Sequence, residues 1–242
     1  MKLLALDTAT EACTVALWLD GSVLERFEFG SHHAERLLPM IDALLAEAGH
    51  VLTQLDAIAF GRGPGSFTGL RIGAGVTQGL AFGADLPVVP VSSLAALAQG
   101  VEATKVLAAF DARMQQIYWG AYVRNANGQM EVQGAEVVSS PLAVPVPGGE
   151  DWYGAGTGWD AYHASLQQHL APCLAGWHRN GMPRARHVAE LFGAILKAQL
   201  VVSGCQIARR KLQWPESRKV AEDRGYNTIL VRFLFPPFGG EG

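Results

Sequence analysis

The sequence predicts an α/β protein built of mixed sheets with flanking helices, and three observations carry that prediction. Residues 2–29 read as three successive strands joined by tight turns, an antiparallel meander. The next segment, 34–48, switches to helical spacing. From residue 56 to about 170, short apolar runs alternate with further helical segments, the pattern of sheets covered by helices.

Each element has its own local reason. Residues 2–7 (KLLALD) form an unbroken apolar run ending on a carboxylate, as a buried strand does. Residues 13–19 (CTVALWL) make a second strand, and Asp20-Gly21 signals a hairpin to a third at 22–29. Ser31 is the expected N-cap of the helix at 34–48. There Leu37, Leu38, Ile41, Leu44, Leu45 and Ala48 recur at helical spacing, and Gly49 stops the helix. Pro39 is read near the first turn, where proline costs least. A strand at 56–60 runs into the loop Gly61-Arg62-Gly63-Pro64-Gly65-Ser66-Phe67-Thr68-Gly69. The helix expected at 69–83 carries Gly69, Gly73, Gly75, Gly79 and Gly83. Each glycine costs roughly 1 kcal/mol against alanine, so another backbone must pack very close. Strands at 87–91 and 105–110 bracket a helix at 93–99. Asn127-Gly128 is a hairpin signal between 117–124 and 129–138. Pro141, Pro145 and Pro147 mark an extended linker. Residues 150–158 read as a strand entering a glycine turn, and 159–170 as a helix. Beyond Pro172 the patterning weakens.

Composition excludes several classes. Hydrophobic residues make up 49% of the 242 and charged ones 17%, which is too apolar and too weakly charged for a disordered chain. No run approaches the ~18 apolar residues of a membrane span. The opening apolar run is cut short by Asp7 and Glu11, so it is not read as a signal peptide, and the expected compartment is the cytoplasm. Cys13, Cys173 and Cys205 are widely spaced and odd in number, which fits reduced thiols rather than disulfides or zinc ligands. Residues 1–170 hold 8 Lys+Arg and 17 Asp+Glu, a net −9; residues 171–242 hold 11 and 5, a net +6. An acidic body repels phosphate backbones. The basic end, with Arg209-Arg210-Lys211, Arg218-Lys219, Trp177, Trp214 and Tyr226, is either RNA contact or solvated surface.

The chemistry-bearing motifs each have a plainer reading. The 61–69 loop lacks the lysine and spacing of a phosphate-binding P-loop, and Ser66 stands where a dinucleotide fingerprint needs its third glycine. A tight backbone turn docking helices is preferred. Gly154, Gly156 and Gly158 could approach a nucleotide, but such a run is weak evidence alone. His32-His33 lack the helical three- or four-residue spacing of a metal pair, so a cap or surface role is expected. Asp7 and Thr8, at a strand end, can hold magnesium and a phosphate; equally, Thr8 and Thr10 can bond the local backbone. Asp111 and Arg113 read as an internal pair orienting a loop. Arg113→Ala is therefore expected to damage folding more than any chemistry, since a broken buried pair costs roughly 3–5 kcal/mol. No catalytic triad and no metal site can be assembled.

Three stretches, LALDTAT at 4–10, GRGPGSFTGLRIG at 61–73 and DARMQQIY at 111–118, resemble the TsaB family, bacterial partner proteins in threonylcarbamoyladenosine synthesis on tRNA. The resemblance covers roughly residues 1–170. Its most specific part is Gly63, Pro64, Gly65, Ser66, Phe67, Thr68, Gly69 and Arg71, with Asp111 and Arg113 in the third stretch. It implies two duplicated actin-like ATPase (ribonuclease H-like) lobes, an N-terminal one at 1–100 and a C-terminal one at 101–242, with 171–242 as a diverged basic tail. A diverged end and a shifted reading frame would each explain the departure after about residue 172.

The resemblance also implies a non-catalytic partner that binds and activates TsaD in threonylcarbamoyl transfer. The histidines here lack the H-x-x-x-H spacing of TsaD's metal ligands. No cofactor is then required by this chain itself, with ATP and magnesium acting in the complex. The implied partners are TsaD, a second copy of the chain, the ATPase TsaE and, indirectly, tRNA; no membrane is implied. The expected interface pairs the helices at 34–48 and 69–83 with their counterparts, through Leu37, Ile41, Leu44, Leu45, Gly75 and Gly79 as an exposed face. The competing reading is a nucleotide-dependent phosphotransferase or ATPase of the same superfold, with Asp7 and Thr8 in its site. A peptidase has neither metal ligands nor a triad to support it.

Overall fold

The apolar run that opens the chain becomes the middle of a sheet. In the computed structural model, which describes residues 1–202 with side-chain detail to residue 193, β1 (Lys2–Asp7) pairs antiparallel with β2 (Ala12–Leu19) and parallel with β4 (Ala57–Gly61). β3 (Ser22–Phe29) and β5 (Val88–Val91) complete the order 3-2-1-4-5. β1 is buried from Leu3 to Asp7, hence its lack of alternation. Asp20 and Gly21 both take positive φ, 48° and 103°, as a two-residue hairpin turn requires.

The second sheet repeats the plan. β6 (Lys105–Arg113) and β7 (Gln116–Arg124) form its hairpin, and β8 (Met130–Val132) and β9 (Val137–Ser139) both pair with β7. β10 (Trp152–Ala155) lies parallel to β6, and β11 (Leu174–His178) parallel to β10. The single strand expected at 129–138 is therefore two short ones. Trp119 and Trp159 lie 6.3 Å apart in this sheet's core, and the Trp159 indole N–H donates to Leu107 O at 2.8 Å.

Five helices complete the described residues: α1 (His33–Glu47), α2 (Phe67–Ala84), α3 (Ser93–Gln99), α4 (Thr157–Leu170) and α5 (Ala185–Val202). Residues 1–197 form one compact unit. α5 does not stay with the second sheet. Ala185, Val188 and Phe192 join Leu3, Ala5, Ala57 and Val89 in the first sheet's core. The Ala185 N–H donates to Thr14 Oγ1 at 3.1 Å, and Arg184 pairs with Glu25 at 2.7 Å. Residues 185–192 thus belong to the interior of the first lobe, so the lobes exchange a helix.

Three local expectations are corrected. α1 is capped at His32 without a side-chain bond, not by Ser31. Pro39 lies beyond the first turn, on the exposed face, where water can serve the carbonyl it leaves unpaired. The third bears on function. Leu37, Ile41, Leu44 and Leu45 were expected on an exposed face, yet all four are buried, at 0%, 1%, 0% and 8% exposure. α1 packs against β2 and β3, and its apolar stripe is the side that faces them. Gly75 and Gly79 of α2 are exposed.

Candidate functional site

The end of β1 is where a carboxylate, a hydroxyl and the glycine loop meet. β1 stops at Asp7, and its side chain turns inward, fully buried. One carboxylate oxygen accepts the Ala9 N–H at 2.8 Å; the other accepts the Ser93 hydroxyl at 2.6 Å. Ser93 in turn accepts the Gly63 N–H at 3.2 Å, and its own N–H donates to Gly63 O at 2.9 Å. Burial pushes the Asp7 carboxyl up to about 6, against the opposing pull of these bonds and the His33 ring. The Thr8 hydroxyl donates to Gly69 O at 2.8 Å. Thr10 bonds the local backbone, accepting the Ala12 N–H at 3.2 Å. His33 is not the surface or cap residue expected but is buried, with Nε2 at 2.7 Å from Thr10 O. His32 is exposed at the cap.

α2 starts two residues earlier than its glycine pattern predicts, because Ser66 caps it by accepting the Gly69 N–H at 3.3 Å. The glycines explain how it seats. A Cβ on Gly61 would come closer than 3.0 Å to Asp7, on Gly65 to Ala9, and on Gly69 and Gly73 to Thr8. The loop and the first turns of α2 therefore lie directly on the strand end. Gly75, Gly79 and Gly83 would meet nothing within 4 Å. The helix is closely packed along one face only.

The second lobe repeats the motif in weaker form. Asp111, near the end of β6, accepts the Arg113 N–H at 2.9 Å, and Gly156 and Gly158 lie against Ala109. Gly156 and Gly158 thus seat α4 on β6, while Gly154 makes room for the Trp159 ring. Arg113 is not part of a buried pair: its guanidinium lies 3.6 Å from Asp111 with the side chain 80% exposed. Arg113, Met114 and Gln115 all take positive φ, so this is the turn of the β6–β7 hairpin. Exposed pairs contribute ~0–1 kcal/mol, so the costly Arg113→Ala expectation is withdrawn. The variant is expected to melt within about 4 °C of the parent, as a thermal melt would check.

A further cluster was invisible in the sequence. Glu136, between β8 and β9, accepts the Tyr122 hydroxyl at 2.5 Å, is bonded by the Ser92 hydroxyl, and pairs with Arg62 of the glycine loop at 3.2 Å. Neighbouring serines at the start of α3 thus reach opposite ways, Ser92 to the second sheet and Ser93 to Asp7 of the first. Burial, with Glu136 beside it, drives the Tyr122 hydroxyl well above its ordinary range. Only the long-range fold brings these four groups together.

The outer side of α1 and α2 is the other notable surface. Phe82 is 82% exposed and Leu38 45%. Phe67, also exposed, carries the Arg71 guanidinium 3.5 Å above its ring. Leu38 shares the helical spacing of the buried residues of α1 yet lies outside their stripe, and Phe82 is not marked by spacing at all.

A sheet order of 3-2-1-4-5 built twice, each copy with an aspartate near its first strand's end and a glycine-bearing helix seated there, defines the actin-like ATPase class. Residues 28–221 match the family described as TsaD, tRNA N6-adenosine threonylcarbamoyltransferase. The tRNA threonylcarbamoyladenosine biosynthesis protein TsaB of Escherichia coli (strain K12) is 49% identical over 172 residues, 67% of this chain and 74% of that protein. The protein of the same name from Haemophilus influenzae is 46% identical over 183 residues, 70% of this chain and 78% of its own. The solved structure of YeaZ from Pseudomonas aeruginosa superposes with a TM-score of 0.76 at 47% identity, covering 81% of this chain and 92% of that one. The chain belongs to the TsaB family of tRNA threonylcarbamoyladenosine biosynthesis proteins. The two curated relatives cover 67% and 70% of this chain, in keeping with a sequence resemblance over roughly residues 1–170, while the structural superposition extends to 81%. Cys205, Trp214, Tyr226, the Arg209-Arg210-Lys211 and Arg218-Lys219 runs and the aromatic stretch at 225–238 lie outside the described residues.

Proposed function

We propose that this chain is a non-catalytic partner that binds and activates TsaD in threonylcarbamoyl transfer to the adenosine next to the anticodon of tRNAs, in the cytoplasm. The observation that carries the reading is the seating of α2. In the competing reading, Asp7 and Thr8 hold a magnesium-bound nucleotide. Here Asp7 is fully buried and bonded to Ser93 and Ala9, and Thr8 to Gly69. Both side chains are thus already engaged by the chain itself, with α2 seated directly on the strand end, which favours a scaffold over an ATPase or phosphotransferase. ATP and magnesium would then act in the complex, with TsaE as a further member and tRNA reached through TsaD.

The outward face of α1 and α2 is the surface we assign to association, with TsaD or with a second copy. Gly75 and Gly79 leave room for a partner helix to approach, and Leu38 and Phe82 supply exposed apolar area. Both partners would use the same face, so homodimer and heterodimer exclude each other. Leu45 is buried, so Leu45→Asp is expected to unfold the chain rather than merely separate partners. Phe82→Asp should instead leave a folded monomer that no longer captures purified TsaD and no longer supports modification in a reconstituted reaction. Sedimentation and circular dichroism read the two effects apart. A folded Phe82→Asp chain that still associates would reject this face. Threonylcarbamoyladenosine formed with this chain as the only protein would reject the scaffold reading.

A further inference from the structure

Residues 161–189 contain no Asp or Glu, although the chain as a whole has 22. The same stretch holds Arg179, Arg184 and Arg186 and four histidines, His163, His169, His178 and His187. Arg184 and Arg186 pair with Glu25. Arg179 does not; its guanidinium lies 5.4 Å from the centroid of the Trp177 ring. The His163 imidazole stacks on the same indole at 5.4 Å and 16°. Beside this stack, at the open edge formed by β11, lies a cavity of about 200 Å³ lined by Gln167, Ala171, Leu174, Ala175, Gly176 and Trp177.

The parts define a ligand chemistry. The cavity is smaller than the ~300–1,000 Å³ of drug-sized sites, so it suits one flat ring system. One wall is an indole, which favours stacking with an aromatic heterocycle. Gln167 offers an amide that can both donate and accept, as a base edge needs. Arg179 favours an anionic group attached to that ring, and the Asp160 carboxylate, the acid that reaches this stretch beside Arg179, is taken up by the Asn180 N–H. We infer that this edge of the second sheet is a nucleobase subsite, taking one unstacked base with its phosphate, either from a free nucleotide or from a single-stranded stretch of RNA. The site is separate from Asp7 and from the α1–α2 face. The choice of an RNA probe rests on the tRNA-modification reading; the nucleotide arm does not.

The test titrates the full chain with AMP and, separately, with a labelled anticodon stem-loop RNA, at low and raised salt. Binding of either probe is expected, and which one binds identifies the source of the base. Trp177→Ala should weaken that binding about 5- to 150-fold, the worth of one base–aromatic stack, while Trp177→Phe should retain most of it. Arg179→Ala should lower the salt slope for RNA by about one. Because Trp177 also packs against the core of its lobe, a second variant leaves it in place: Ala175→Trp fills the cavity from its exposed edge and should abolish binding in a chain that melts normally. Failure of the parent to bind either probe overturns the proposal, as does unchanged binding by folded Ala175→Trp. Loss of TsaD capture in a separate experiment would overturn the partner reading and leave the AMP result standing.

Discussion

Gly69→Ala is expected to lower the melting temperature by about 6–12 °C, whereas Gly75→Ala, six residues along the same helix, should raise it by about 2–4 °C. The opposite signs follow from what each methyl would meet. At Gly69 it would press on the carbonyl of Thr8 closer than 3.0 Å. That neighbour is backbone of a buried turn and cannot rotate away. Overpacking of this kind costs ~3 kcal/mol at the upper end of its usual range, and each kcal/mol is worth roughly 2–4 °C in a chain of this size. The shift would also loosen the Thr8–Gly69 bond that seats α2. At Gly75 the methyl meets nothing within 4 Å. In the monomer only the helix propensity changes, by roughly 1 kcal/mol in favour of alanine, so the comparison is made at a concentration where sedimentation shows both variants monomeric. Differential scanning calorimetry of the two variants is sufficient. Equal melting temperatures would mean that α2 does not lie on the strand end as described.

That contrast shows what the sequence could and could not disclose. A helix carrying five glycines announces close backbone contact, and the strand end at Asp7 announces a special position. Periodicity alone could not say which glycines face inward, because they recur on two faces. It also misassigned α1. The stripe of Leu37, Ile41, Leu44 and Leu45 looked like more than one lobe could bury, yet all four are buried, in a helix that packs against β2, β3 and α2. Surface residues such as Phe82 follow no period, so an interface is less legible than a core. β11 and α5 were missed for a different reason. β11 is a short edge strand with little local pattern; α5 does carry helical spacing, at Ala185, Val188, Ala189 and Phe192, but the sheet it packs on is the distant first one. The Glu136 cluster joins residues 14 to 74 positions apart, and no window of sequence reveals such a meeting.

Asp7→Asn is expected to stabilise the protein at neutral pH. Burial raises the Asp7 carboxyl to about 6 from an ordinary value of 3.8, so the folded chain holds this proton more tightly than the unfolded one. Its stabilising contribution is fully present below about pH 4, is lost as pH rises through about 6, and is absent above that. The difference corresponds to at most about 3 kcal/mol at pH 7.5. Asparagine has no charge to desolvate, its carbonyl can still accept the Ala9 N–H, and its amide can donate to the Ser93 hydroxyl. The variant should therefore melt several degrees above the parent at pH 7.5, with the gap closing toward pH 4. The opposite result carries as much information. If Asp7 instead binds magnesium, the parent should gain stability from magnesium with ATP, and Asp7→Asn should lose that gain. Melting curves for both proteins across that pH range, with and without magnesium-ATP, separate a buried structural carboxyl from a nucleotide site. A parent stabilised by magnesium-ATP through Asp7 would return the ATPase reading to first place.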